Sequence, residues 1–268
     1  MLPCKVVAGV HDMKKLMVFL MCCCSMLTRE SAASNVVAPE AASGDEGNSA
    51  LSPFSRGVFR MQQVYSASLF SAFPDGINIG SVAFRGDRDA FRPGGVTISD
   101  VEIHLSTTSM PIDGLSSTFS LNVGPDDRIV RTRDPFRMVF TGGGGVVPSG
   151  WILSRPAVDI QDRPFYYNPA AGNLLLDIRV DGSILGATAL DAVSTLGDSV
   201  SSVYSVSGSP AGTGTLDTLG LATWFYFEPV PEPSTVTLLL LGLGVVVFAG
   251  SFRSARARGS LSGRYLIR

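Results

Sequence analysis

The stretch Val96-Thr97-Ile98-Ser99-Asp100-Val101-Glu102-Ile103-His104-Leu105 alternates apolar and polar side chains. A period of two sets Val96 and Ile98, then Val101, Ile103 and Leu105, on one face of an extended chain. The phase slips at Ser99-Asp100, which predicts a β-bulge rather than a strand end. The same pattern recurs on both sides of this stretch. Val58 to Ser68 alternates loosely, and Ile77 to Arg85 follows the turn Pro74-Asp75-Gly76. Thr118 to Val123, Arg128 to Thr132 and Phe136 to Phe140 read as further strands. Phe165 to Tyr167, Leu174 to Val180, Ala187 to Leu190, Val200 to Val206 and Leu221 to Phe227 complete the set. Turn signals return about every 8–12 residues, and no long segment of period 3.6 lies between residues 53 and 228. The fold class expected is all-β: one β-sandwich or jelly-roll-like domain over residues 53–228. Residues 35–52 are rich in Ala, Ser, Gly and acids without periodicity, and read as a flexible linker.

Composition narrows the function classes. Of 268 residues only 16% are charged, and the formal net charge is -2. That argues against a coiled coil and a helix-rich cytosolic enzyme, and it removes the electrostatic case for nucleic-acid binding. The four cysteines, Cys4, Cys22, Cys23 and Cys24, all precede residue 25. A disulfide scaffold, a cysteine-bound zinc site and a cysteine nucleophile are therefore excluded from the body.

Both ends read as targeting devices. From Met13, a candidate start, Lys14 and Lys15 precede the apolar run Leu16 to Leu27. Small residues follow at Ser31 to Ser34. This order is that of a secretory signal peptide, read over residues 1–34, with signal peptidase cutting after Ala33 or Ser34. At the other end, Val236 to Phe252 is uncharged. As a helix it is about 25 Å long, near the roughly 30 Å of a bilayer core. Pro231 and Pro233 keep such a helix from extending backward, and Arg253, Arg256 and Arg258 hold its far end on the cytoplasmic side. Residues 259–268 continue as a basic tail.

Pro231-Glu232-Pro233, the apolar span and the basic cluster together closely resemble the PEP-CTERM sorting signal of Gram-negative bacteria, here over residues 229–258. The resemblance implies recognition of the tail by exosortase, a multi-pass membrane enzyme, and an exported protein. The precursor would be tethered in the inner membrane with a periplasmic domain. The product would then reach the cell surface or extracellular matrix. A second stretch, Tyr167-Asn168-Pro169-Ala170-Ala171-Gly172-Asn173-Leu174-Leu175-Leu176-Asp177-Ile178, in combination with Ile103-His104-Leu105-Ser106-Thr107-Thr108, is similar to segments frequent in proteins with such tails. Physically, Asn168 to Asn173 is a tight turn and Leu174 to Ile178 a strand buried on both faces. Asp177 within it needs partners or a sheet edge.

The remaining chemistry is sparse. His104 is the only histidine after residue 11 and should point to the polar face of its strand. No Gly-x-Ser-x-Gly elbow accompanies it, so the catalytic set is read as empty. Arg85-Gly86-Asp87 spells an adhesion tripeptide but reads as a turn. Loop acids at Asp87, Asp89, Asp126 and Asp127 are compatible with one structural calcium site, while the domain is otherwise read as free of metal and cofactor. Aromatic residues could stack sugars, and Trp151, Tyr166 and Trp224 are the candidate ligand-binding residues. The function expected is non-enzymatic: an exported envelope or matrix protein with a structural or adhesive role. A carbohydrate-binding module for extracellular polysaccharide is the first alternative, and a secreted hydrolase using His104 the second.

Overall fold

Gln63 points into the core and treats a neighbouring strand as if it were itself a peptide group. Its amide donates to Leu221 O at 3.1 Å and accepts from Leu221 N–H at 2.8 Å. That pairing joins two of three antiparallel sheets. The computed structural model describes residues 34–55, 57–87, 94–140, 158–159, 163–186, 189–205 and 212–230. The signal-peptide reading, the apolar span 236–252, the sorting residues Pro231 to Pro233, the arginines Arg253, Arg256 and Arg258, and Trp151 lie outside them. Among the described residues no helix is long and apolar enough to cross a membrane.

The strands, in chain order, are β1 (Ser34–Ala38), β2 (Ser49–Leu51), β3 (Phe59–Tyr65), β4 (Ile77–Phe84) and β5 (Gly94–Thr108). Then come β6 (Arg128–Phe140), β7 (Val158–Asp159), β8 (Phe165–Tyr167), β9 (Asn173–Val180) and β10 (Ile184–Leu185). The last are β11 (Leu190–Ser194), β12 (Val200–Ser205), β13 (Thr215–Asp217), β14 (Leu219–Leu221) and β15 (Thr223–Pro229). Short 3-10 turns are the helical elements among the described residues. The seven-stranded sheet runs β10-β5-β9-β3-β12-β13, with β6 on β5. The five-stranded sheet runs β1-β15-β4-β7, with β8 also on β4. A small sheet, β14-β11-β2, stands beside them.

The alternation read from sequence supplies the core. Phe59, Met61 and Tyr65 from β3, Val101, Ile103 and Leu105 from β5, and Leu174, Leu176 and Ile178 from β9 meet Ile77, Ile79, Val82, Phe225 and Phe227 from the opposite sheet. Tyr65 and Phe225 pack edge to face at 4.8 Å, and Tyr65 OH bonds Thr223 Oγ1 at 2.9 Å. This is an all-β sandwich, as the period of two requires. The slip at Ser99-Asp100 is present: pairing of β5 with β6 shifts register between Ile98 and Val101.

Several sequence expectations are corrected. Residues 35–52 are not a linker. They form β1, a 3-10 turn and β2, and β1 pairs with β15 from Ser34↔Phe227 to Ala38↔Thr223. Their small side chains misled the reading, because Ala38 and Ala42 are wholly buried where larger groups would not fit. Thr118 to Val123 is not a strand but a 3-10 turn around Phe119–Leu121. Phe119 is buried there while Leu121 is 65% exposed, and Asn122 bonds Ser116 N–H and Gln62 Oε1. The two strands expected over 128–140 are one, with Pro135 inside it. β6 pairs only with β5, so this proline sits on an edge strand, which tolerates the missing donor. Of the strand expected over Ala187 to Leu190, residues 187–188 lie outside the described residues, and β11 begins at Leu190. Leu221 to Phe227 is two strands, because Ala222 marks a switch between sheets, with its N–H on Asp191 O and its carbonyl accepting from Arg85 N.

Replacing Gln63 with Ala should lower the unfolding free energy by about 1–3 kcal/mol, since Leu221 N–H loses its acceptor in a dry core while Leu221 O keeps Thr223 Oγ1. Urea unfolding followed by circular dichroism measures this. An unchanged midpoint would contradict the pairing.

Candidate functional site

The outer faces of the two large sheets carry different chemistry. On the seven-stranded sheet, cross-strand rows set polar residues side by side. Gln62, Asp177 and His104 form one row, and Arg60, Arg179 and Glu102 the next. Asp177 is 2% exposed on β9, a central strand, so it finds partners rather than an edge. Arg60 donates to both its oxygens at 3.1 and 2.6 Å, Arg179 reaches Oδ2 at 2.9 Å, and Gln62 Nε2 reaches Oδ2 at 3.1 Å. Arg60 also lies 4.5 Å over the Phe119 ring, tying the 110–123 segment to the sheet. The expectation that Leu174 to Ile178 is buried on both faces is met: Leu176 faces the main core, and Leu175 packs with Val64, Leu115 and Phe119 outside it.

His104 belongs to this network. It is 5% exposed. Its Nδ1 faces both Asp127 oxygens at 3.1 and 3.2 Å, and its Nε2 faces Glu102 Oε1 at 2.9 Å. Both ring nitrogens thus meet carboxylates, and among the described residues neither meets a hydroxyl. It does lie on the polar face of β5, but that face is covered by the loop that brings Asp127.

Asp89 lies outside the described residues, and the other loop acids do not converge. Asp126 accepts from Thr107 N–H at 2.6 Å, and Asp127 faces His104. Asp87 instead joins Glu46 and Asp191, whose carboxylate oxygens lie within 4.8 Å of one another. That cluster already contains a cation. The Arg85 guanidinium, 1% exposed, is paired with Asp191 and donates to Ala42 O and Asp45 O, each at 2.7 Å. Arg85 is therefore enclosed, so Arg85-Gly86-Asp87 presents no arginine to a receptor.

The five-stranded sheet carries the aromatic residues. β15 alternates: Phe225 and Phe227 are buried, while Trp224 and Tyr226 face outward, half-buried. The two outward rings stack at 5.2 Å with 10° between their planes. Tyr166 on β8 stands in the row Tyr166–Asn78–Glu228, on the same face. It is 50% exposed, and its hydroxyl donates to Asp75 O at 3.1 Å. Gly76, at φ +96, lies beneath it; a Cβ there would come within 2.8 Å of the ring. The structure thus sets two candidate ligand-binding residues, Tyr166 and Trp224, on one face, with Tyr226 between their rows. Beside Tyr226 opens a cleft of about 530 Å³ lined by Asn78, Gly80, Ser81, Pro164 and Glu228. Asn78 was legible as the outward residue of Ile77-Asn78-Ile79. Ser81 was not, because the register of β4 with β15 shifts between Tyr226 and Phe227, across from Gly80.

Residues 229–254 match the family model of the PEP-CTERM protein-sorting motif. No curated protein and no solved structure matches the chain. The motif marks an exported protein, anchored in a membrane before processing, and is the recognition signal for exosortase.

Burial raises the Asp177 pKa, yet hydrogen bonds and charge from Arg60 and Arg179 outweigh it and hold the carboxyl below its usual range. Unfolded, it titrates near pH 3.9. Its contribution to stability is therefore complete above that value and lost as pH falls through the lower folded one. The arginines are 19% and 27% exposed, so water partly compensates them. Asp177→Asn should cost about 2 kcal/mol at neutral pH, less than for a fully buried pair, and flatten the acid limb of the stability profile. Unfolding midpoints measured from about pH 3 to pH 7 check both.

Proposed function

We propose that the chain is a non-enzymatic, exported β-sandwich protein that acts structurally or adhesively in the cell envelope or extracellular matrix. The observation that carries this reading is the junction at residue 229. β15 ends at Pro229, and the sorting motif begins there. The folded unit is thus the cargo of the motif, with no further domain between them. In this reading signal peptidase removes the N-terminal segment, the span 236–252 holds the precursor in the inner membrane with its β-domain in the periplasm, and exosortase acts at Pro231-Glu232-Pro233. The two prolines favour an extended backbone there, and Glu232 offers one charge outside the bilayer. The placement of His104 supports a non-enzymatic role, since its nitrogens are engaged by Glu102 and Asp127. The domain is read as working without a bound cofactor.

Replacing Pro231, Glu232 and Pro233 together by Ala should leave membrane insertion intact and block release. Fractionation with mass analysis should find a shortened parent form outside the cell and the altered chain at full length in the inner membrane. Equal release of the two would contradict this account of the tail. Cells lacking the protein should lose cohesion of their matrix, read as the fraction of cells shed under flow. Unchanged shedding would contradict the adhesive role.

A further inference from the structure

The cleft beside Tyr226 has three properties that together select a ligand class. First, it lies on a sheet face and not at an edge. β15 pairs on one side with β1 and on the other with β4, so its backbone is engaged in both ladders. A ligand here cannot add as a strand and must be read by side chains. Second, its wall is a flat aromatic ring whose orientation is set by stacking on Trp224. Third, its polar groups differ in kind and converge. Asn78 offers both donor and acceptor, Glu228 offers acceptors and is exposed, and neither engages a hydrogen-bond partner among the described residues.

Ser81 adds the most specific signal. It is 8% exposed, and its Oγ is sealed from water with no hydrogen-bond partner among the described residues. A hydroxyl left so is destabilising and uncommon in a native fold. Ser81 lines the cleft, and its hydroxyl is free to turn between staggered positions about the Cα–Cβ bond. A ligand hydroxyl there would satisfy it.

We infer that this cleft binds a neutral hexose polysaccharide, one sugar ring lying against Tyr226 with its hydroxyls on Ser81, Asn78 and Glu228. A pyranose presents both surfaces required: an apolar C–H face for the aromatic ring and a rim of hydroxyls that donate and accept. Anionic polymers such as alginate meet like charge at Glu228. The cleft volume suits one or two rings of a chain that continues along the face toward Tyr166. This inference rests on the adhesive reading and names its partner.

The test is isothermal titration of the full chain in a sugar-free detergent with maltohexaose, cellohexaose, laminarihexaose and mannohexaose, and with an alginate hexamer. At least one neutral hexaose should bind below millimolar and alginate should not. Tyr226→Ala should weaken binding at least tenfold. Ser81→Ala should weaken it about fivefold while leaving the thermal midpoint unchanged or raised, because it removes an unsatisfied hydroxyl. That pair separates loss of a contact from loss of the fold. No heat with any neutral hexaose, binding of alginate alone, or full affinity in both variants would overturn the inference. Such a failure would leave matrix cohesion by protein contact standing, whereas unchanged shedding with intact titration would remove the adhesive reading and keep the cleft.

Discussion

The backbone of β15 is bonded on both sides, and most of the molecule is arranged by that constraint. With β1 along one edge and β4 along the other, the strand is fixed in register. Its alternation then sorts four consecutive aromatic residues by face. Phe225 and Phe227 go inward to Tyr65, Phe70 and Phe73, where the rings pack edge to face. Trp224 and Tyr226 go outward and stack on each other. One register shift would exchange core and surface, so the aromatic face and the hydrophobic core are specified by the same pairing.

The same strand relates the two ends of the folded unit. Ser34, at the start of β1, lies opposite Phe227, two residues before β15 ends. The chain thus enters the sandwich beside the place where it leaves it. Neither end of the folded unit therefore has to cross the fold. It also explains why a short, small-residue segment is ordered: β1 covers an edge of β15 that would otherwise expose unpaired N–H and C=O groups.

The opposite face is held by charge rather than by rings. Asp177, Arg60, Arg179, Glu102, His104 and Asp127 form one connected network under the 110–127 segment. Each carboxylate has a cationic or donor partner, which is the condition under which buried charge is tolerated. The network accounts for the histidine and for the acid inside an apolar strand without invoking catalysis. The five-stranded face carries instead the stacked rings of Trp224 and Tyr226 and the unbonded Ser81 Oγ.

Much of this was legible in the residues. The sorting motif was, because proline pairs, an uncharged span and a basic cluster are local features whose physics needs no partner. The all-β class was, because a period of two is imposed by the strand itself. So were Leu174 to Ile178 as a doubly covered strand and the bulge at Ser99-Asp100. What tertiary structure alone decided is every matter of partnership. Composition made residues 35–52 look like a linker, since small side chains show no periodicity, yet β15 supplies the ladder that orders them. Phe119, Leu121 and Val123 alternate like a strand, yet among the described residues the pairing there is an isolated bridge, Thr118 with Thr213. Asp177 announced a need, and only the fold shows Arg60 answering it from 117 positions away. The cleft with Ser81, Asn78, Tyr226 and Glu228 joins two strands far apart in sequence. Local periodicity says which way a side chain faces, but which residues meet there depends on which strands pair.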